Sequence, residues 1–409
     1  VAKQAIGIGL NQGLVDEFNG VDYVTREEAA LYAFNTLKAT LVDYDNTISA
    51  NVNGAEVVIS NNTAKPVTWS EGINEDGNIK DDGFVQFAEE FFPDLVRNDD
   101  DTKFMEPANT WVYAKTEIGT YERTDLLVES YTTGVTGRDA YDLLKSGVIS
   151  DNDLEAYLDG VNNMKEKDAN MIGKDDLVRS NDDDLPGTGN GVLTKVYLDT
   201  DKELITIVSI NTWLAKATAD YSESKEYAPL NVYVKDADGR NYNVDVEDVP
   251  AVADVTDGTF YQVNISFKDV QPNGEIVVLQ DVEVLEDSTV TKFSAENGAD
   301  SSAAVRYVTK LTTGGEEYSR NVKAFYDKEV LDTYNETLLT DNTYNVYLDQ
   351  YGYFLGVDLF EGTQNYVFIT GFDRNSSNLA VKTATAGAIF LDGTMENIEL
   401  NINATDDNI

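Results

Sequence analysis

Residues 192–217 read VLTKVYLDTDKELITIVSINTWLAKA, and this run decides the fold of the chain. Two apolar segments, Val192 to Asp199 and Glu203 to Ala217, flank the polar pair Asp201-Lys202. Runs rich in β-branched and aromatic residues that are bounded by a short polar turn are typical of strands. The segment therefore predicts two neighbouring strands and a β-rich fold.

The same pattern continues towards the C-terminus. Further apolar runs are separated by turn sequences such as Asp238-Gly239 and Pro272-Asn273-Gly274. Turns at intervals of about 8–12 residues, between alternating apolar and polar positions, are the signature of a β-sandwich. Residues 195–199, KVYLD, also resemble residues 345–349, NVYLD, which predicts two related β modules.

Upstream of residue 184 the pattern is mixed. Asn53-Gly54 lies between apolar runs and predicts a hairpin turn. Helix-like spacing predicts short helices at residues 84–92 and 136–145, and the acidic start of residues 151–159 predicts a third. Together these signals predict an α+β domain.

A break follows at residues 181–191, NDDDLPGTGNG, which are acidic and then rich in Pro and Gly. Residues 185–189 match the sorting pattern Leu-Pro-x-Thr-Gly. A sorting signal needs an apolar span and a basic tail directly after it, whereas a long predicted β region follows here. We therefore predict that this segment is an interdomain linker.

The charge and two missing residue types exclude several classes of protein. The 409 residues include 74 acidic and 30 basic side chains, a formal net charge of −44, and neither His nor Cys. Their absence excludes a Ser-His-Asp or Cys-His catalytic pair and an imidazole or thiolate metal site. A strongly acidic surface repels phosphate, so nucleic acid is not an expected partner. No apolar run reaches the ~18 residues of a membrane-spanning helix, so no membrane span is expected.

Acidic clusters are the candidate metal sites, because calcium prefers carboxylate oxygen. The candidate ligands are Asp99, Asp101, Asp182, Asp183 and Asp184. Neither cluster has the spacing of an EF-hand loop, so a solvated loop is the alternative reading of each. Calcium that bridges acidic faces is the candidate cofactor.

A chain without Cys can link its strands covalently only by other chemistry, such as an isopeptide bond. Lys195 or Lys235 could supply the amine of such a bond. The sequence does not identify a partner for either lysine.

The first forty residues carry a motif. Small and apolar residues at Ala2, Ala5 and Leu10 lead through a Gly-containing loop to Thr25-Arg26-Glu27-Glu28. Thr25 and Glu28 have the spacing of a capping box at a helix start. This pattern resembles the S-layer homology repeat, whose second helix begins with a Thr-Arg-Ala-Glu motif.

The resemblance implies a helical repeat on the surface of Gram-positive anaerobic bacteria, and therefore an extracellular location. In that family the arginine of the motif contacts an acidic sugar of the cell-wall polysaccharide. The resemblance thus implies Arg26, Thr25 and Glu28 as glycan-binding residues, and a guanidinium at a helix N-terminus suits a carboxylate. A surface ion pair between Arg26 and a neighbouring acid is the alternative.

The predicted fold is mainly β and multidomain. It combines a short α-helical N-terminus like an S-layer homology repeat, an α+β domain and β-sandwich-like modules. The predicted domains are residues 1–40, 41–184, 185–290 and 291–409.

The predicted function is structural and not enzymatic: a self-assembling S-layer or extracellular-filament subunit at the cell surface. Its partners would be copies of itself, joined through strand edges and cation bridges. A cell-wall-polysaccharide anchor or adhesin is the alternative. A secreted carbohydrate-active enzyme is the third hypothesis, but 74 acids offer many accidental carboxylate pairs and no motif singles one out.

Overall fold

The computed structural model describes most of the chain. The described residues are 26–44, 48–52, 55–59, 64–69, 78–165, 171–180, 183–235, 241–247, 249, 251–269, 274–297, 306–326, 343–360, 367–374, 383–390 and 393–401.

The described residues include three α-helices: α1 (Arg26–Leu37), α2 (Phe87–Phe91) and α3 (Gly137–Asp151). The strands, in chain order, are β1 (Val42–Tyr44), β2 (Ile48–Val52), β3 (Ala55–Ile59), β4 (Ala64–Pro66), β5 (Leu95–Asp101), β6 (Pro107–Tyr113), β7 (Thr116–Glu122), β8 (Leu127–Tyr131), β9 (Asp153–Leu158), β10 (Val161–Asn162), β11 (Leu193–Asp199), β12 (Leu204–Ile210), β13 (Trp213–Ala217), β14 (Ala228–Lys235), β15 (Asn241–Val246), β16 (Phe260–Ser266), β17 (Glu275–Asp281), β18 (Glu283–Asn297), β19 (Arg306–Thr313), β20 (Glu316–Tyr326), β21 (Thr343–Leu348), β22 (Phe354–Leu359), β23 (Val367–Arg374), β24 (Thr383–Phe390) and β25 (Met395–Asn401). The part of the chain that the structure describes is mainly β and has several sheets, which confirms the predicted mainly β, multidomain fold class. None of the described helices has the length and apolar character needed to cross a membrane.

The chain forms two compact units. Unit 1 comprises Val1–Val282, Arg320–Ala324 and Asp349–Leu355. Unit 2 comprises Glu283–Ser319, Phe325–Leu348 and Gly356–Ile409. Unit 1 therefore takes in two short segments from the later part of the chain.

The first five-stranded sheet of unit 1 has the order β10-β9-β12-β11-β8. Its β9–β12 pair is parallel, and its other pairs are antiparallel. Helix α3 packs on this sheet and is capped by Thr136, whose hydroxyl accepts from the Asp139 N–H at 3.1 Å. Their shared core includes Val135, Ala140, Leu144, Leu154, Ala156, Ile172, Leu177, Leu185, Val196, Ile205 and Ile207.

Residues 151–159 do not form the predicted helix, because most of them belong to strand β9. Leu154 and Ala156 are buried, and the acidic positions beside them are exposed. The parallel register places Leu154 opposite Ile205 and Ala156 opposite Ile207. Pairing with β12 buries one face of the segment, and this gain outweighs the weak helical preference of its acidic residues.

The described residues 183–191 contribute Leu185 to the core of unit 1, whereas the sequence predicts a linker here. Leu185 is 2% exposed, and its N–H donates to the Val135 carbonyl at 2.7 Å. The Val135 N–H in turn donates to Thr188 Oγ1 at 3.1 Å. The Pro and Gly residues thus shape a tight turn around a buried leucine, and the core runs across the boundary predicted between residues 184 and 185.

The second five-stranded sheet of unit 1 is antiparallel, with the order β15-β14-β13-β16-β17. Strands β16 and β17 flank the turn predicted at Pro272-Asn273-Gly274, and Gly274 is its described residue. Gly274 has φ +69°, and a Cβ there would lie 2.4 Å from Ile265 Cγ2, so the turn requires glycine. The core of this sheet includes Trp213, Ala215, Leu230, Val232, Val263, Ile265 and Leu279.

A third sheet of unit 1, β5-β6-β7, packs with α1 and α2. The core between them contains Leu37, Ile79, Ala88, Leu95 and Trp111. The hairpin predicted at Asn53-Gly54 is confirmed, since β2 and β3 pair antiparallel on either side of that dipeptide.

Strands β18 to β22 close into a barrel of order β18-β19-β20-β22-β21, and β23-β24-β25 form a separate antiparallel sheet. The 15-residue β18 pairs with β21 through its first part and with β19 through its second part. Its register shifts between Leu285 and Ser288 and between Val290 and Lys292, and such irregularities bend a strand. The sequence predicts a sandwich-like module for residues 291–409, whereas strands β18 to β22 form a barrel. The barrel arises because the bent β18 pairs with β21 along its first part and with β19 along its second part.

Replacing Leu185 with Ala tests whether residues 183–191 are part of the core. We expect Leu185→Ala to lower the free energy of unfolding by about 2–5 kcal/mol, because it leaves a cavity in a filled core. Urea unfolding followed by circular dichroism measures the change. The control Val161→Ala removes a half-exposed side chain and should change the free energy by less than about 0.5 kcal/mol. Equal, small effects of the two variants would show that the segment is a linker.

Candidate functional site

Two of the three predicted glycan-binding residues lie in the first turn of α1. Arg26 is the first residue of the helix, and its side chain is exposed. Glu28 lies in the first turn, and Thr25 lies outside the described residues. Glycan binding by these three residues stays a prediction.

Two of the predicted calcium ligands, Asp99 and Asp101, lie at the end of β5. Asp99 Oδ2 is 2.8 Å from Lys202 Nζ, and this hydrogen bond lowers the pKa of Asp99. Burial raises the pKa of Asp101. The carboxylate of Asp99 thus already has a cationic partner from the protein.

The other three predicted calcium ligands come later in the sequence than Asp99 and Asp101. Asp183 and Asp184 are exposed, and Asp182 lies outside the described residues. Within the described ranges, no group of three or more acidic side chains is placed to hold a metal ion. Calcium binding therefore stays a prediction.

A cleft of about 260 Å³ in unit 1 gathers three cationic side chains, and we call it the cationic cleft. Lys38 directly follows α1, Arg97 lies within β5 and Arg123 directly follows β7. Three cations in one cleft are notable in a chain with 74 acidic and only 30 basic residues. The other lining residues are Leu31, Phe34, Asn35, Asn109, Trp111, Tyr121, Glu122, Thr124 and Asp125.

The register of β5, β6 and β7 brings the lining residues to one face of their sheet. Arg97 pairs with Trp111, and Asn109 pairs with Tyr121. Side chains two residues apart on a strand share a face, so these four residues line the same side. Phe34 of α1 packs edge-on against Trp111 with ring centroids 5.5 Å apart, so the helix forms the opposite wall.

The three cations of the cleft are not equally neutralised. Arg123 donates from Nε and Nη2 to Asp125 at 2.9 and 2.7 Å, which raises the pKa of Arg123. Burial lowers the pKa of Arg97, and the charge of Arg123 lowers it further. Burial also lowers the pKa of Lys38, whose Nζ lies 4.2 Å from the Phe34 ring centroid. A bound anion would therefore stabilise the charged forms of Arg97 and Lys38.

Arg97 also carries an unsatisfied donor. Its Nε is buried and has no hydrogen-bond partner in the described part of the chain. A buried donor without a partner costs about 1–3 kcal/mol, and a ligand that brings an acceptor to this nitrogen would remove that cost. Arg97 is the residue of the cleft that most directly favours an anionic ligand.

Glu122 joins the cleft to the neighbouring sheet through a buried ion-pair network. Lys195 of β11 donates to Glu106 Oε1 at 2.6 Å and to Glu122 Oε2 at 2.8 Å. Tyr197 donates its hydroxyl to Glu122 Oε1 at 2.7 Å. Burial lowers the pKa of Lys195, but the hydrogen bonds to both glutamates outweigh it and leave the pKa raised. Lys195, one of the two candidate isopeptide amines, thus lies between two carboxylates as their ion-pair partner.

Comparison with known proteins gives no match: no family model, no curated protein and no solved structure matches this chain. The resemblance of the first forty residues to an S-layer homology repeat therefore stays a prediction.

The sequence offers little that would reveal the cationic cleft. Lys38, Arg97 and Arg123 come from three elements far apart in the chain, and no local motif contains them. Strand register, which the sequence does not specify, is what brings these residues together.

Lys195 should matter more to stability than an exposed lysine. We expect Lys195→Ala to lower the free energy of unfolding at pH 7 by about 3 kcal/mol, because it leaves two glutamates without their cation, and one of them, Glu106, is 8% exposed. The control Lys310→Ala breaks an exposed pair with Glu317 and should cost less than about 1 kcal/mol. Urea unfolding measures both.

Wild type and Lys195→Ala also allow a test of the pH dependence of stability. The pKa of Lys195 is raised on folding, so its contribution is complete below the ordinary lysine pKa of about 10.4 and is lost as the pH rises through the folded-state pKa. The stability difference between wild type and Lys195→Ala should therefore narrow above about pH 10.4. A difference that stays constant across that range would contradict the ion-pair role.

Proposed function

We propose that this chain is a non-enzymatic, extracellular cell-surface protein that binds an anionic saccharide through the cationic cleft. The observation that carries the proposal is Arg97, a half-buried arginine whose buried Nε has no partner among the described residues, beside Lys38 in an otherwise strongly acidic protein. The lack of His and Cys supports a binding role over catalysis.

The lining of the cleft suits a charged sugar unit. A guanidinium pairs with a carboxylate through parallel hydrogen bonds, which are stronger than bonds between neutral groups. The Tyr121 ring is 55% exposed at the rim and offers a flat apolar surface to a sugar ring. A volume of about 260 Å³ lies just below the ~300–1,000 Å³ of typical small-molecule pockets, so it suits one sugar residue.

This cleft is separate from the site that the family resemblance implies. Arg26 begins α1, and Lys38 follows its last residue. The 12-residue helix is about 18 Å long at 1.5 Å per residue, so the two cations lie at opposite ends of it. Variants of Arg26 and of Arg97 therefore test different glycan sites.

Arg97→Gln should weaken binding of an anionic oligosaccharide. The probe is trigalacturonic acid, with neutral galactotriose as the uncharged comparison, and calorimetry measures the dissociation constant. We expect at least a tenfold rise in that constant for Arg97→Gln, because a charge-assisted hydrogen bond is lost. Added salt should weaken wild-type binding as well, since the attraction is electrostatic.

The controls locate the site. Lys310→Gln removes the same charge from an exposed position in unit 2 and should leave binding unchanged. Loss of binding in Arg26→Ala, with normal binding in Arg97→Gln, would assign the function to the start of α1 and reject the cleft. Equal affinity for the neutral and the acidic sugar would also reject it.

A second function, self-assembly as an S-layer or filament subunit, is favoured by an apolar row in unit 2. Phe368 pairs with Ile389 across β23 and β24, and Ile389 pairs with Met395 across β24 and β25. Phe368 is 70% exposed and Met395 is 75% exposed. Exposed contiguous apolar side chains mark interaction surfaces, and a second copy of this chain is the occupant that we propose. Association must overcome the repulsion of two highly acidic chains, which cations such as calcium would screen.

The double variant Phe368→Ser and Met395→Ser should abolish that association. We expect the wild type to associate with rising concentration in sedimentation velocity runs, more strongly with calcium than with a chelator. The double variant should stay monomeric under both conditions. Ile118→Ser removes a similarly exposed apolar side chain from unit 1 and should behave like the wild type. A wild type that is monomeric under every condition would reject the proposal.

A further inference from the structure

Asp159 ties the two five-stranded sheets of unit 1 together. Its N–H donates to the carbonyl of Ser209 in β12 at 2.9 Å. Its own carbonyl accepts from the N–H of Phe267, which directly follows β16, at 2.8 Å. Asp159 therefore forms hydrogen bonds with β12 of the first sheet and with the residue that directly follows β16 of the second sheet.

The carboxyl group of Asp159 is bound at the same joint. It accepts from the Asn211 N–H at 2.7 Å and from Asn211 Nδ2 at 2.6 Å. Asn211 lies between β12 and β13, where the chain passes from the first sheet to the second. Asn264 of β16 donates to the Asn211 carbonyl at 2.8 Å, which holds Asn211 in place from the other side.

The backbone around Asp159 is in an unusual conformation and is tightly surrounded. Asp159 has φ +50° and Gly160 has φ +79°, both in the left-handed region. A Cβ at position 160 would lie 2.6 Å from the Lys103 carbonyl and 2.6 Å from Ser266 Oγ. The backbone next to Asp159 is thus closely packed, and Asp159 is only 5% exposed.

No cation neutralises this carboxyl group within ion-pair distance among the residues that the structure describes. Lys323 of β20 is the charged side chain that acts on it from the packed elements, and it does so only at longer range. The Lys323 ammonium lies 5.9 Å from the Trp213 ring centroid. Near Gly160, Lys103 contributes its carbonyl and Lys268 its Cβ. A buried charge held by neutral donors alone is costly in its ionised form.

We propose that Asp159 is a proton-operated clamp, which takes up a proton in mildly acidic surroundings and then holds the two sheets more firmly than it does at neutral pH. Burial raises the pKa of Asp159 to about 6. The ordinary value of about 3.9 applies to the unfolded chain, so between about pH 4 and pH 6 only the folded chain holds this proton. The added stability is complete below about pH 4 and is lost as the pH rises through about 6.

Hydrogen exchange at the joint tests the clamp. The readout is the protection factor of the Asn211 and Phe267 amides in the full chain, corrected for the intrinsic pH dependence of exchange. From pH 7 to pH 5 we expect wild-type protection to rise about tenfold, because each pH unit below the folded-state pKa changes the equilibrium by about a factor of ten. Asp159→Asn cannot take up the proton, so its protection should not change with pH. Asp184→Asn, an exposed acid of the same unit, should keep the wild-type response.

A second readout uses only the wild-type protein, so it stays valid if the Asp159→Asn variant does not fold. The Asn211 amide resonance of the wild-type protein, followed by NMR against pH, reports directly on the carboxyl group that it contacts. A midpoint near pH 6 supports the clamp. A midpoint near pH 4, or protection that responds equally to pH in wild type and Asp159→Asn, would overturn it.

Discussion

One buried cation holds the candidate site together. Lys195 of β11 bonds to Glu106 and Glu122, which flank strands β6 and β7, and so fixes the third sheet of unit 1 against the first. Glu122 is also a wall of the cationic cleft, and Arg123 follows it directly. Without Lys195 the two carboxylates would repel each other at the point where the cleft is anchored. A buried ion pair is weak evidence for added stability, but its geometry is specific, and here that specificity positions Arg123.

Three buried carboxylates of the described residues are stabilised in two ways, by a cation or by neutral donors. Glu106 takes a cation, Lys195. Asp349 takes neutral donors, with Asn321 Nδ2 at 2.6 Å and the backbone N–H groups of Tyr351 and Tyr353 at 2.8 and 3.0 Å. Asp159 takes donors from Asn211 alone. Because neutral donors offset the cost of burying a charge only in part, burial raises the pKa of Asp349 and of Asp159.

The sequence predicts strands and turns where the signal is local. The run from residue 192 to residue 217 forms strands, although the second predicted strand is divided at Asn211-Thr212 into β12 and β13. Strands β2 and β3 pair antiparallel, as the hairpin signal between them predicts. Prediction fails where a distant partner decides the structure. Most of residues 151–159 form a strand because they pair with β12. The Pro/Gly-rich segment contributes to a core because Leu185 hydrogen-bonds to Val135. The cationic cleft is beyond local prediction for the same reason, since four separate elements and their register assemble it.

The discontinuity of unit 1 has a consequence for synthesis of the chain. Asn321 Nδ2 donates to the carbonyl of Gly191, 130 residues earlier, and the N–H of Val322 donates to the carbonyl of Asn190. Gly191 is closely covered by these later residues, since a Cβ there would lie 2.0 Å from Asn321 Nδ2. Unit 1 therefore cannot be completed until Asp349–Leu355 has been synthesised, so it cannot finish folding before the intervening part of unit 2 has also emerged. Contacts of such long sequence separation slow folding, so the backbone at Asn190 and Gly191 stays without these partners until the later segments have been synthesised.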